Sequence, residues 1–367
     1  MTAFDFRPRT RVVFGAGEFS RLGEIARELG GTRCLVVADP GIVEAGYAQE
    51  AIRSLKARRM EVIGFHDFSV NPTAAMMEAG CDHAAPHHVD LIVSVGGGSS
   101  MDCAKGINFV LSNGGRMRDY AGYGKAAKPM LPMIAVATTA GTGSEAQSFC
   151  IFSDSTGMRT ACGDLKAAFR VAILDPKLTL SQPQELTAAT GYDAISHALE
   201  TLVTTRHTAL SECFSRSAWR LINSAYELVL RQPSDLDARG AMLLGSHFGG
   251  LAVENSMLGA AHACASPLQS RYGLSHGVAI ALVLPRVVRW NRPAAGPRYE
   301  ELYAGDLEER LQHLADIAGL PLTLREAGVP EEALPRLADE AAAQWTGRFN
   351  PRPLDAAGAR EIYEWAM

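Results

Sequence analysis

The stretch GYDAISHALE, residues 191–200, places an aspartate and a histidine four residues apart in an otherwise apolar helical pattern. Residues at positions i and i+4 lie on one face of a helix, so the carboxylate of Asp193 and the imidazole of His197 project into the same small volume. That arrangement suits a metal ion. It also suits a surface ion pair or a buried histidine satisfied by its neighbour, and for this spacing alone those plainer explanations are favoured.

Two further histidines extend the candidate site. His262 lies in a segment rich in Gly, Ala and Ser over residues 242–268, which predicts a buried helix, and His276 lies at the predicted start of the next apolar helix. With Asp193 and His197 they offer three nitrogens and one oxygen, a set that suits Fe(II) or Zn(II). The positive charge that one carboxylate leaves uncompensated could polarise a carbonyl or stabilise an alkoxide.

Composition restricts the class of protein. The 367 residues are 47% hydrophobic and 20% charged, which is typical of a globular chain with a sizeable core, and the length favours two domains. The net charge of −5 and the lack of a basic block argue against a nucleic-acid partner. The N-terminal residues lack the apolar run of a signal peptide, and no uncharged run reaches the ~20 residues that span a bilayer, so we expect no membrane association.

The seven cysteines are dispersed and form neither C-x-x-C pairs nor zinc-finger spacings. Such a set is typical of reduced thiols in a cytoplasmic protein rather than of a disulfide framework. Any metal site would therefore be built from histidines and carboxylates.

The first half of the chain alternates β-branched runs with helical patterns, which predicts βαβ units and a mostly parallel sheet. The predicted strands end in Gly, Asp or Thr and cover residues 33–40, 60–65, 90–98, 133–143 and 170–176. From about residue 184 the pattern is almost wholly helical. We therefore predict an α/β nucleotide-binding domain over residues 1–181 and an all-helical domain over residues 182–367.

A triple glycine joins an apolar strand to a predicted helix start in DLIVSVGGGSSMDCAKG. Gly96, Gly97 and Gly98 would let the backbone approach a ligand closely, and the N–H groups of the following helix could bind a pyrophosphate. The pattern differs from G-x-G-x-x-G, and such turns are often only tight corners. A second loop of small and hydroxyl residues, ATTAGTGSE over residues 137–145, follows another strand and makes a nucleotide site more probable.

Asp39 ends the early strand CLVVAD. Its carboxylate could accept hydrogen bonds from a ribose diol and would repel a 2′-phosphate, which favours NAD over NADP. In isolation it could equally be a turn-forming aspartate before Pro40.

The chain resembles the iron-containing alcohol dehydrogenase family along nearly its whole length. The resemblance is carried by GGGSSMDCAKG, TTAGTGSE, the strand ending in Asp39, NPT at 71–73, ILDPKLTL, GYDAISHALET, AAHACASPL and GLSHGVAIALVLPRVVRWN, in this order. It implies a Rossmann-like domain that binds NAD(P), a helical domain that binds the metal, and a substrate in the cleft between them, in a dehydroquinate synthase-like fold.

The resemblance also implies roles for individual residues. The metal ligands would be Asp193, His197, His262 and His276. The cofactor site would comprise Asp39, Asn71, Gly96, Gly97, Gly98, Ser99, Thr138, Thr139, Thr142, Phe149 and Arg159, with Asp102 and Lys105 in the loop that supports it.

The chain departs from the family pattern at several positions. Ser266 stands where many members have a second histidine, four residues after His262, and could pass a proton through water or admit a bulky substrate. Ala137 replaces a loop proline, Arg159 a lysine beside the cofactor, and Phe149 a smaller or polar residue near the nicotinamide. These changes leave the predictions of metal binding and reaction class in place. They do not allow the identity of the substrate or the usual proton relay to be carried over from the family.

We therefore expect a cytoplasmic, homodimeric, NAD-dependent alcohol dehydrogenase or aldehyde reductase that acts on a small molecule and uses Fe(II) or Zn(II). The nearest alternative is a reductase of an acidic carbonyl compound, similar to maleylacetate or phosphonoacetaldehyde reductases, in which Arg271 would pair with the anion unless it is a solvated or interface arginine. A lyase similar to dehydroquinate synthase fits the glycine-rich motifs less well. A non-catalytic metal-binding protein is the alternative from another class.

Overall fold

A computed structural model describes residues 3–154 and 159–367 of the chain. The chain folds into two compact units. The sheet unit comprises Phe6–Thr139 and Gly143–Gln182, and the helical unit comprises Ala140–Thr142 and Pro183–Met367 together with the N-terminal residues up to Asp5. No helix in the described part of the chain is long and apolar enough to cross a membrane.

The sheet unit contains a six-stranded parallel sheet with the strand order β1-β9-β6-β4-β2-β3. These strands are Arg11–Phe14 (β1), Arg33–Val37 (β2), Glu61–Phe65 (β3), Leu91–Gly96 (β4), Met133–Ala137 (β6) and Val171–Leu174 (β9). The central strands β4 and β6 are buried along their whole length, as expected for a parallel sheet that is covered on both faces. The five predicted strands correspond to β2, β3, β4, β6 and β9, and the predicted parallel sheet is confirmed.

The order of strands in the sheet reverses direction once, and this reversal indicates where a ligand-binding crevice would form. Along the chain the sheet grows from β2 outward to β3, then returns to the other side of β2 with β4 and continues to β6 and β9. Crevices in open parallel sheets form at the carboxyl ends of the two strands that flank such a reversal. Those strands are β2 and β4, which are followed by Asp39 and by the triple glycine.

A second, three-stranded sheet was not predicted. It consists of Gly122–Tyr123 (β5), Phe149–Ser153 (β7) and Arg159–Gly163 (β8), with β7 and β8 antiparallel. The helices of the sheet unit are Leu22–Glu28 (α1), Pro40–Glu44 (α2), Tyr47–Ala57 (α3), Ala74–Ala84 (α4) and Gly98–Asn113 (α5).

The helical unit is built from α-helices, as predicted. They are Gln184–Val203 (α6), Ala209–Arg231 (α7), Leu236–Glu254 (α8), Ala260–Tyr272 (α9), His276–Leu302 (α10), Leu307–Ile317 (α11), Leu334–Ala342 (α12) and Ala356–Ala366 (α13). The single helix predicted over residues 242–268 is wrong. The chain leaves α8 at Asn255 and enters α9 after Gly259, which places His262 in the first turn of α9.

Helix α6 lies in the middle of this unit and is buried along most of its length. Gly191 allows close contact with α7, because a Cβ there would lie 2.6 Å from the ring of Tyr226. The Tyr226 hydroxyl donates a hydrogen bond to the Ala188 carbonyl at 2.7 Å, and the Tyr192 hydroxyl donates one to the Leu311 carbonyl at 2.9 Å. These contacts hold the helix that carries GYDAISHALE in a fixed position.

Candidate metal centre and cofactor loops

Three helices bring the four candidate metal ligands together in the helical unit. The Oδ1 atom of Asp193 lies 3.4 Å from Nε2 of His197, 3.6 Å from Nε2 of His262 and 3.2 Å from Nε2 of His276. Ligand atoms ~2.1 Å from a tetrahedral metal are separated from one another by about 3.4 Å. The spacing around Asp193 therefore fits the coordination shell of a divalent first-row cation.

The hydrogen bonding of these groups also fits a cation. Asp193 and His197 are only 3% and 4% exposed. Within residues 3–154 and 159–367, Oδ1 of Asp193 and Nε2 of His262 are buried without a hydrogen-bond partner. Buried polar atoms are rarely left unpaired, because an unpaired one costs ~1–3 kcal/mol. A bound cation would supply the missing partner for both atoms.

The four side chains are not equally placed. Asp193, His262 and His276 each present a ligand atom such that all three atoms lie within 4.8 Å of one another. His197 joins them through its distance to Asp193, and its ring stacks on that of His262 with centroids 5.2 Å apart and an interplanar angle of 17°. The geometry thus groups three of the four predicted ligands closely and places His197 beside Asp193.

Close helix packing explains why His276 reaches this cluster. His276 is the first residue of α10, and Gly277 follows it directly. A Cβ at position 277 would collide with the backbone carbonyl of Ala189 in α6. Glycine therefore lets the start of α10 rest on the backbone of α6, close to Asp193.

Burial and neighbouring charges shift the pKa values of the clustered groups in different directions. Burial lowers the pKa of His197 to about 4, and the neighbouring Asp193 only partly opposes this shift. Burial also opposes ionisation of Asp193, yet the charges of His197 and His276 hold the pKa of its carboxyl well below the usual range. For His262, burial is outweighed by Glu200 and Asp193, which raise its pKa to about 9. The buried carboxylate of Asp193 is thus stabilised by positive charge on the groups around it.

Glu200, the last residue of the GYDAISHALE stretch, was not among the predicted site residues. Its Oε2 atom lies 2.5 Å from Nδ1 of His262, and its Oε1 atom accepts a hydrogen bond from the backbone N–H of Ala261 at 2.7 Å. Glu200 follows Asp193 by seven residues and His197 by three, so all three share one helix face. This spacing could have placed Glu200 on the face of α6 that carries Asp193 and His197, although it could not have identified His262 as its partner.

The glycine-rich loop after β4 has the tight backbone that a phosphate site requires. Gly96 has φ +147°, a conformation that favours glycine, and a Cβ there would collide with the Ser100 side chain. A Cβ at Gly97 would lie 2.8 Å from Oγ1 of Thr139. Helix α5 begins at Gly98 and has no side-chain cap, so its first N–H groups are available to an anion.

The structure shows Asp39 as the N-cap of a helix that begins at Pro40, a role that was not among the two explanations offered by the sequence. It precedes α2, its Oδ1 atom accepts from the Ile42 N–H at 3.2 Å, and its Oδ2 atom accepts from the Ser100 hydroxyl at 2.8 Å. Asp39 is half-buried. Since a carboxylate has about four lone-pair sites, these two bonds leave acceptor capacity for a ribose.

Other predicted cofactor residues surround these loops in the sheet unit. The Thr138 hydroxyl is buried without a partner among the described residues, and the Thr138 N–H donates to the Gly96 carbonyl at 3.1 Å. Asn71 has φ +57°, and its N–H donates to the Ser99 hydroxyl at 3.2 Å. Thr138 and Ser99 therefore link these segments to the loop after β4.

Lys105 ties the second polar loop to α5. This fully buried side chain donates hydrogen bonds to the Ser144 carbonyl at 2.8 Å and to the Phe149 carbonyl at 2.8 Å. Burial raises the pKa of Asp102, while the charges of Lys105 and Arg159 oppose the shift. Asp102 also accepts from the Ile151 N–H at 3.2 Å. Lys105 and Asp102 thus connect α5 to the second polar loop and to β7.

Besides the four candidate metal ligands, three residues considered in the sequence analysis lie in the helical unit. Thr142 belongs to this unit, whereas Thr138 and Thr139 belong to the sheet unit. Ser266 is half-buried on α9, one turn after His262. The Arg271 guanidinium forms a forked ion pair with Glu340 of α12, with Nε 2.6 Å from Oε2.

Comparisons with known proteins identify the family. The model for iron-containing alcohol dehydrogenases matches residues 8–176, and the model for the C-terminal domain of the Fe-containing alcohol dehydrogenase family matches residues 187–367. The chain is 32% identical to an NAD-dependent methanol dehydrogenase of Bacillus methanolicus, over 100% of both chains.

Two solved structures agree with this result. A 1,3-propanediol oxidoreductase matches over 100% of both chains with 31% identity and a TM-score of 0.96. A sulfoacetaldehyde reductase from Bifidobacterium kashiwanohense, in complex with NAD⁺, matches over 100% of this chain and 99% of that chain with 27% identity and a TM-score of 0.91. The chain belongs to the iron-containing alcohol dehydrogenase family.

Proposed function

We propose that the chain interconverts an alcohol and an aldehyde with NAD(H), using a divalent cation held by Asp193, His197, His262 and His276. The observation that carries this proposal is the convergence of three imidazole Nε2 atoms on the buried Oδ1 atom of Asp193, which has no hydrogen-bond partner in the described part of the chain. Fe(II) or Zn(II) bound there supplies a Lewis acid that polarises a carbonyl or lowers the pKa of an alcohol.

The protein's own groups prepare that chemistry. The carboxylate of Asp193 neutralises only one of the two positive charges of the cation, and the three histidines contribute neutral nitrogens, so positive charge remains to act on the substrate oxygen. Ser266, half-buried one turn after His262, is the hydroxyl that we assign to proton exchange through water. Proton exchange through the Ser266 hydroxyl would differ from exchange in family members that have a histidine at the position of Ser266.

We assign cofactor binding to residues 1–181 and metal binding to residues 182–367. The N–H groups at the start of α5 and the glycines before it would hold the pyrophosphate of NAD(H). The Thr138 hydroxyl, buried without a partner in the described residues, would bind the cofactor, as would Asn71, Ser99, Thr139, Thr142, Phe149 and Arg159. Lys105 and Asp102 position the loop that follows β6.

A charge change at position 39 tests the cofactor assignment. We expect Asp39→Gly to lower the preference for NADH over NADPH on the order of tenfold, which is about 1.4 kcal/mol, because the variant no longer repels a 2′-phosphate. Glycine retains most of the N-cap, so α2 should survive. The measurement is kcat/KM for both cofactors.

A second capping aspartate provides the control. Asp235 caps α8 and accepts from the Ala238 N–H at 2.9 Å, so Asp235→Gly removes a similar cap without touching the cofactor loops. Its cofactor ratio should equal that of the wild type. A wild-type enzyme that prefers NADPH would contradict the assignment.

The substrate that we propose is a neutral alcohol or aldehyde. An acidic carbonyl substrate would need a cation for its anionic group, and the Arg271 side chain considered for that role is bound to Glu340. A panel of neutral, carboxylated and sulfonated aldehydes, assayed by NADH oxidation after anaerobic loading with Fe(II) or Zn(II), tests this choice. Higher kcat/KM for the anionic aldehydes would favour the alternative, and no turnover with any of them would favour a non-catalytic role.

We further propose a cytoplasmic homodimer. All seven cysteines are free thiols, as in proteins of reducing compartments. In the described residues β1 pairs on one side only, and it exposes 39% of Val12 and 45% of Phe14. A second copy pairing along this edge would cover these side chains. Sedimentation should give about twice the chain mass of 39.3 kDa; a monomer would refute the dimer.

A further inference from the structure

We propose that Glu200 is a positioning residue that holds the His262 imidazole in the tautomer and orientation required of a metal ligand. This inference rests on the proposed function. Its basis is a pair of short contacts made by one buried carboxylate, with Oε2 2.5 Å from Nδ1 of His262 and Oε1 2.7 Å from the Ala261 nitrogen. The Glu200 side chain is 4% exposed.

The first contact fixes the proton on the ring. A carboxylate is only an acceptor, so Nδ1 of His262 must donate to Glu200. In the neutral imidazole the lone pair then belongs to Nε2, which faces Oδ1 of Asp193 at 3.6 Å. Two acceptor atoms at this distance repel each other unless a proton or a metal cation lies between them. Glu200 thus directs the free nitrogen of His262 toward the metal position.

The second contact fixes the backbone that carries the ring. Helix α9 starts after Gly259 without a side-chain cap of its own, and His262 lies in its first turn. Glu200 accepts the Ala261 N–H, and Oδ1 of Asn350 accepts the Ala260 N–H at 3.2 Å. A carboxylate at a helix N-terminus is also favoured by the helix dipole. The same side chain therefore orients both the ring and the turn that bears it.

Charge supports the assignment. Among the residues that the structure describes, His262 is the one basic side chain paired with Glu200. A buried carboxylate without a cationic partner is costly. A divalent cation on the other ring nitrogen of His262 would be bound directly by Asp193 and would be separated from Glu200 by the imidazole ring, so Glu200 stabilises the bound cation without removing its charge toward the substrate.

Glu200→Gln tests the inference with little change of shape. Glutamine offers one acceptor oxygen, so it can satisfy either the His262 ring or the Ala261 N–H, and its NH₂ group must face the other. Metal-free protein should be titrated with Co(II) and with Zn(II), following the visible absorption of cobalt. We expect the dissociation constant to rise 10–100-fold and the cobalt spectrum to change.

A matched variant separates positioning from general effects. Glu212 also pairs with a histidine, with Oε1 2.7 Å from Nδ1 of His207, and lies outside the metal cluster. Glu212→Gln should bind both metals with the wild-type dissociation constant. Circular dichroism of the metal-free proteins should show that both variants keep the fold.

The outcomes are distinguishable. A wild-type dissociation constant and an unchanged cobalt spectrum in Glu200→Gln would overturn the role of Glu200 and leave the metal-dependent function intact. Absence of metal binding by the wild type would overturn both. If Glu200→Gln does not fold, nitrogen-15 NMR of the zinc-loaded wild type decides: a protonated Nδ1 on His262 is expected, and a protonated Nε2 would overturn the inference.

Discussion

Replacing Asp193 with asparagine is expected to weaken metal binding by at least a hundredfold and to remove turnover at limiting metal. Four ligands that share ~10–16 kcal/mol of binding free energy contribute about 3 kcal/mol each, or roughly a hundredfold in affinity. Asp193 is the only anionic ligand of the set, so its loss should exceed this average. The three histidines would have to hold a dication with neutral groups alone.

A control for Asp193→Asn is a variant that breaks an ordinary surface ion pair with the same i,i+4 spacing. Arg360 and Glu364 form an exposed i,i+4 pair at 2.7 Å, for which about 0.3–0.5 kcal/mol of stability is expected. Glu364→Gln should therefore have normal metal content and kcat. Both variants are stripped of metal and titrated with it while NADH turnover is measured. If Asp193→Asn behaves like Glu364→Gln, Asp193 is not a ligand.

Replacing His276 with alanine is expected to abolish turnover at limiting metal and to lower metal affinity by roughly a hundredfold, by the same sharing of binding energy. The fold should survive. The His276 side chain is 29% exposed at the first position of α10, and alanine is a better helix former than histidine. Elemental analysis beside circular dichroism measures both effects.

His313 offers a matched control for this variant. It lies on α11 with its side chain 49% exposed, and His313→Ala removes an imidazole without touching the cluster. This control should retain full metal content and activity. Full metal occupancy with normal activity in His276→Ala would remove that residue from the ligand set.

The family, the fold class and the oxidoreductase activity predicted from the sequence are confirmed by the comparisons. Local sequence patterns were sufficient to predict features that belong to a single strand or helix. The strands of the parallel sheet are apolar runs that end at turn residues, and the spacing of Asp193 and His197 places both on one face of α6.

Features that depend on distant partners were not predictable in this way. The hairpin of β7 and β8 was missed because nearly every residue of Phe149–Ser153 is apolar, so the alternation of buried and half-buried positions is visible only in the structure. The break between α8 and α9 lies in a segment of small residues that also suit a helix. Recognising it required the packing of Gly259 beside Glu200 and Asn350.

Glu200 illustrates the same limit within the site. A glutamate on a helix is usually exposed to solvent. Its partner His262 is 62 residues away along the chain, on another helix, so no local spacing could connect them. Likewise, the sequence offered Asp39 as a ribose acceptor or a turn-forming residue but not as a helix cap, and its contact with Ser100 spans 61 residues.

The most direct test of the account is a metal titration of the wild-type protein. Protein stripped of metal is titrated anaerobically with Fe(II), and in parallel with Zn(II), while bound metal and NADH oxidation with a neutral aldehyde are followed together. The account predicts that turnover is absent without metal and rises in proportion to bound metal up to one ion per chain. Full turnover of the stripped protein in the presence of a chelator would contradict it.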